Sequence, residues 1–144
     1  MPSPELDRLV TTGVLAHEVP IRSEFEGLIR EAGVTLADAQ NQTVSLESRF
    51  RLAYSAAHSI ALAALRWHGY RPRNRQIVFQ ALAHTLKTPA GVWRMLARSH
   101  EQRNKRDYEG AGEIDERLLR DVIDAGVQLL ERVRQLPPPS ESQR

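Results

Sequence analysis

Phe50-Arg51-Leu52-Ala53-Tyr54-Ser55-Ala56-Ala57-His58-Ser59-Ile60-Ala61-Leu62-Ala63-Ala64-Leu65 decides the fold. On a helix, its apolar side chains cover most of the circumference instead of one stripe, so this segment must be surrounded by other helices. Its many alanines let those neighbours approach closely. Helix punctuation brackets it: Ser45 precedes it, Glu47 falls in the first turn, and Gly69 follows the last turn as a C-terminal stop. A helix over Leu46 to His68 is therefore predicted as the centre of an all-α fold.

Working towards the N-terminus, Phe25, Leu28, Ile29, Ala32, Leu36 and Ala39 recur at helical spacing, with Ser23 as cap and Glu26 in the capping-box position. This predicts a helix over Ser23 to Asn41. A short helix over Glu5 to Leu15 precedes it, and Pro20 breaks the chain between them. Towards the C-terminus, a loop at Tyr70 to Asn74 leads to a helical stretch over Arg75 to Leu86. Thr88-Pro89 then opens a helix reaching Asp107. A last helix over Glu113 to Leu136 has acids at its start, Arg132 and Arg134 at its end, and a stop at Pro137-Pro138-Pro139. No alternating run is long enough to predict a strand. The expectation is an up-and-down antiparallel bundle of four to five main helices with a short N-terminal helix. Residues 1–21 are an appendage, 22–136 the bundle and 137–144 a disordered tail.

At 144 residues, 41% of them apolar, the chain supports one domain with a real core. It has no cysteine, which excludes disulfides, thiolate metal sites and thiol nucleophiles. The apolar run from Ile60 to Leu65 is too short to span a membrane, and Met1-Pro2-Ser3-Pro4 begins no signal peptide, so a soluble, cytoplasmic protein is expected. The net charge of +2 conceals a segregation. Residues 46 to 106 carry twelve Lys or Arg against two acids, Glu47 and Glu101, and the remainder is acidic. Such a segment attracts phosphates of RNA or a nucleotide, the chain's own acidic helices, or an acidic partner.

On the helix predicted after Pro89, Val92, Leu96, Ser99 and Arg103 follow at spacings of three and four, with Arg106 or Asp107 next. Arg103 thus continues an apolar stripe. A guanidinium there must pair, cap carbonyls, or open onto a polar cleft. One reading is an ion pair with Asp107 at i+4, with Asn104 and Tyr108 finishing the turn. The other is a ligand-facing site.

Three motifs stand in order along the chain: Ala53-Tyr54-Ser55-Ala56-Ala57, then Gly69-Tyr70-Arg71, then Arg103-Asn104-Lys105-Arg106-Asp107-Tyr108, followed by the final long helix. Over about residues 22 to 136 this order resembles the HEPN superfamily, small helical bundles often encoded beside minimal nucleotidyltransferases. The resemblance is to a subgroup with an Arg-x-x-Ala-Asp-Tyr type motif. It implies either metal-independent RNA cleavage by the motif's arginine and histidine, or non-catalytic binding of nucleotide, RNA or an antitoxin nucleotidyltransferase. With four residues intervening after Arg103, Tyr108 occupies the histidine's place, and no histidine follows His100. A phenol with a pKa of about 10 does not exchange protons near neutrality as imidazole does.

Among the other histidines, His58 lies at i+4 from Tyr54, either as a hydrogen-bonded core pair with it or facing Arg103. His100, three before Arg103, either reaches the same cleft or faces solvent. His68 and His84 are expected at the surface or at helix ends, and Trp67 and Trp93 in the core. No spacing fits a metal site, and no glycine-rich phosphate loop or cofactor motif occurs. The resulting expectation is a homodimeric HEPN-like module, in a toxin–antitoxin or defence system, that binds RNA, nucleotide or a nucleotidyltransferase partner. Arg103, Asn104, Asp107, Tyr108, Tyr54 and Arg71 would form its ligand site. The alternatives are an endoribonuclease toxin using Arg103 with a displaced His58 or His100, and a scaffolding subunit.

Overall fold

The computed structural model describes residues 3–104 and 115–139. In chain order, α1 spans Pro4–Thr11, β1 Leu15–His17, α2 Arg22–Ala39, α3 Leu46–Trp67, β2 Tyr70–Pro72, α4 Gln76–Gln80, α5 Leu82–Thr85, α6 Ala90–Asn104 and α7 Glu116–Arg134. The fold is all-helical, with one two-stranded ribbon. Packing is centred on α3, against which α2 and α7 lie most extensively and α6 also rests. Ala53, Ala57, Ala61 and Ala64 of α3 are sealed from solvent, together with Phe50 and Ile60. Burying so much apolar surface on one helix is what drives its neighbours to enclose it.

Caps set the helix limits. Ser45 Oγ accepts from Ser48 N at 3.2 Å at the start of α3, and Gly69, at φ +91°, turns the chain after it. Asp115 Oδ1 accepts from Arg117 N and Leu118 N at 2.9 and 3.2 Å, starting α7. At α2 the expected Ser23 cap is absent. Arg22 already lies in the helix, Ile21 is the cap residue without a side-chain bond, and Arg22 pairs with Glu26 at 3.0 Å. The stretch expected as one helix over Arg75 to Leu86 divides at Ala81 into α4 and α5.

The N-terminal residues depart most from expectation. The first helix ends at Thr11, and Gly13, at φ +88°, leads the chain into β1. That strand pairs antiparallel with β2, where a loop was expected, in the register Leu15 to Pro72, Ala16 to Arg71 and His17 to Tyr70. Three-residue strands are too short to betray themselves by alternation. Leu6 and Leu15 are buried with Leu65, Tyr70, Ile77 and Ala81 in a second apolar cluster. The Tyr70 hydroxyl donates to Asp7 Oδ1 at 2.6 Å, fastening α1 to the ribbon. At the other end Pro137, in the stretch expected to be disordered, accepts from Trp67 Nε1 at 2.8 Å, while residues 140–144 lie outside the described residues.

Behind the ribbon lies a charge network. Arg66 of α3 is only 1% exposed, and its guanidinium donates to Glu24 Oε1 at 2.9 Å, to the carbonyls of Glu18 and Val19 at 2.9 and 2.8 Å, and to that of Tyr70 at 3.3 Å. Arg71 bridges the same two acids, reaching Glu18 Oε1 and Glu24 Oε2 at 2.8 Å each. The planar fork of arginine suits this many acceptors at once. Burial opposes ionisation of Glu24, but its bonds to Arg71 and Arg66 outweigh that and hold its carboxyl below the usual 4.5. Stability from this source is present above that value and lost as pH falls through the depressed one. Glu24→Ala, which deprives Arg66 of its nearest carboxylate, is expected to cost about 3 kcal/mol in urea denaturation at pH 7. Glu24→Gln is expected to shrink the drop in urea midpoint that the wild type shows below about pH 4.5.

Candidate functional site

On α3, Tyr54 and His58 stand one turn apart on one face; on α6, His100 and Arg103 do the same. Packing of α6 against α3 and α4 brings the two pairs together. The Tyr54 hydroxyl and His100 Nδ1 form a buried hydrogen bond of 2.8 Å. The Arg103 guanidinium carbon lies 5.3 Å from the centroid of the Tyr54 ring, in cation–π contact. His58 stacks beside Tyr54 at 6.0 Å between centroids, and Phe79 of α4 meets both rings edge-on at 5.8 Å. Arg103 thus follows the apolar stripe because an aromatic face receives it. His100 is buried, so it is the cleft and not solvent that it reaches. The hydroxyl of Tyr54 goes to His100 and not to His58, whose Nε2 is buried and finds no hydrogen-bond partner among the described residues.

The electrostatics follow from this crowding. Burial, then the charges of Arg75, His100 and Arg103, push the His58 imidazole down to about 4. Burial, then Arg103 and Arg75, also lower His100, while Glu101 opposes them. Both rings are therefore neutral at pH 7, beside the guanidiniums of Arg75 and Arg103. A neutral imidazole there can give or take a proton, and an anion would find a favourable potential.

Beside His100 a recess of about 190 Å³ opens, lined by Gln76, Phe79, Gln80, Trp93, His100 and Glu101. A larger hollow of about 690 Å³ between α6 and α7 is lined by Arg98, Gln102, Asp121 and other residues of mixed charge, and holds neither imidazole. Volume alone does not make that hollow the site.

Of the residues singled out from sequence, Tyr54, His58, His100 and Arg103 converge. Asn104 is the last residue of α6, and Asp107 and Tyr108 lie outside the described residues. Arg71 is not brought to the cluster. It shares Glu18 and Glu24 with Arg66, which is twelve positions beyond Tyr54, about 18 Å along α3. Sequence reasoning missed Arg75, read only as the start of a helix, and the Gln76, Gln80 and Glu101 lining of the recess, for which no motif exists. Among the described residues, no group of three or more His, Asp or Glu could hold a metal ion. No protein-family model matches the chain, and no curated protein matches it.

The buried neutral His58 has a signature in stability. Above about pH 6.5 it is neutral in both folded and unfolded chains; between about 6.5 and 4 only the unfolded chain takes up the proton, so stability falls with pH; below about 4 the loss levels off. His58→Phe is expected to reduce the fall in urea midpoint over this window, leaving the smaller share due to His100 and the Glu24-dependent loss at lower pH. An unchanged slope between pH 6.5 and 4 would contradict the assignment.

Proposed function

We propose that this chain is a HEPN-like module that binds a phosphate-bearing ligand, RNA or nucleotide, at the Tyr54–His58–His100–Arg103 cluster. The carrying observation is the placement of the Arg103 guanidinium over the ring of Tyr54, whose hydroxyl is committed to a neutral His100. Arginine held by an aromatic face keeps its fork of donors oriented, which suits bidentate phosphate contacts. His58 and His100 are depressed first by burial and then by the charges of Arg75 and Arg103, which adds a positive contribution at the same spot. In this reading the module acts as a homodimer in the cytoplasm beside a nucleotidyltransferase partner, in a toxin–antitoxin or defence setting.

A second reading has one specific observation in its favour. His100 sits one turn before Arg103 and is neutral at pH 7, so it can stand in for the histidine that Tyr108 replaces. In that enzyme His100 takes the proton of a ribose 2′-hydroxyl, whose oxygen bonds to phosphorus as the P–O5′ bond breaks; water protonates the departing 5′-oxygen, and Arg103 stabilises the charge that develops on the phosphoryl oxygens. Cleavage would leave 2′,3′-cyclic phosphate ends.

Arg103→Ala is expected to weaken binding of single-stranded RNA or nucleotide at least tenfold in a fluorescence titration while lowering Tm by only a few degrees. Lost stability with unaltered binding would sink the binding reading. Accumulation of cyclic phosphate ends by the wild type, absent with His100→Gln, would replace it by the enzymatic one.

A further inference from the structure

The recess beside His100 has the size and chemistry of a site for one flat ring. Pockets that enclose whole drug-sized ligands measure about 300–1,000 Å³. At about 190 Å³ this one holds a single ring system and leaves the rest of the ligand outside. Trp93, which is half-buried, supplies an aromatic wall, with Arg94 5.2 Å from the centroid of its ring and the fully buried Phe79 beneath the floor. The primary amides of Gln76 and Gln80 and the carboxylate of Glu101, all exposed, line it with donors and acceptors. Arg75 and Arg103 do not line the recess, but both act electrostatically on His100 at its edge, and Arg103 lies over the Tyr54 ring to which His100 is hydrogen-bonded.

We infer, resting on the phosphate-binding reading above, that this recess takes a single nucleobase while Arg75 and Arg103 hold the phosphate attached to it. Guanine fits its lining best. Glu101 is the carboxylate among the lining residues, and guanine alone of the four bases offers two adjacent donors, N1–H and the 2-amino group, to one carboxylate. Stacking on an aromatic wall would accept any base; the carboxylate is what discriminates. The base arrives either on a free mononucleotide or as an unpaired residue of single-stranded RNA, and both present the same chemistry to the recess.

The test is equilibrium titration of the full chain with GMP, AMP, CMP, UMP, ribose 5-phosphate and inorganic phosphate, and with single-stranded RNA carrying one guanine or an abasic site at the same position. GMP is expected to bind at least tenfold more tightly than ribose 5-phosphate and several-fold more tightly than AMP. Glu101→Gln is expected to abolish the preference over AMP while leaving inorganic phosphate affinity in place. Gln80→Ala, at an exposed position, is expected to weaken GMP without weakening ribose 5-phosphate. If GMP fails but guanine-bearing RNA outbinds its abasic counterpart tenfold, the base comes from RNA and the inference stands. Equal affinity for GMP and ribose 5-phosphate, with no abasic penalty in RNA, overturns the base recess and leaves the phosphate site intact. Absence of binding by every phosphate-bearing probe overturns both.

Discussion

A guanidinium cannot be taken out of water unless its donors are met, and Arg66 is almost entirely out of water at the end of the central helix. Its acceptors are mostly main-chain carbonyls, at Glu18, Val19 and Tyr70, so what it fixes is the path of the backbone. The ribbon of β1 and β2 crosses the end of α3 where those carbonyls can be reached. Glu24, in the first turn of α2, is drawn to the same point, which ties the start of that helix to the end of α3. The apolar circumference of α3 demands neighbours; Arg66 helps decide where two of them begin.

The two arginine clusters along α3 contrast in their charge balance. Around Arg66 and Arg71, the carboxylates of Glu18 and Glu24 offset the guanidiniums and are themselves held ionised by them. Around Tyr54, two imidazoles are instead driven to neutrality by burial and by Arg75 and Arg103. The first arrangement is complete within the chain. The second gathers two arginines beside neutral imidazoles and an aromatic ring, and it is there that the proposed anionic ligand would bind.

Much of this was legible in the sequence, for physical reasons that differ by element. The central helix was legible because an apolar run of that length, ended by Ser45 and Gly69, has no other soluble solution. Arg103 was legible as an anomaly on a stripe, and Tyr54, His58 and His100 by their one-turn spacings. The ribbon was not, since three-residue strands carry no periodicity and owe their existence to contacts distant in sequence. Arg66 gave no signal: arginine near a helix C-terminus is ordinary at the surface, and its burial is decided by carbonyls more than forty residues earlier. The break at Ala81 has no glycine or proline to announce it.

The ribbon and the Arg66 network also have a kinetic meaning. Pairing Leu15 with Pro72, and Arg66 with Glu18 and Glu24, closes loops that span α2 and α3, whose own hairpin contacts are closer in sequence. Loop closure of that length is entropically costly before its contacts reward it, so this topology favours docking of the helices before the network forms. Interactions absent from the folding transition state leave the folding rate alone and slow unfolding. Formed in that order, the buried arginine would act as a latch on the lifetime of the native state, set apart from the face where the proposed ligand would come and go.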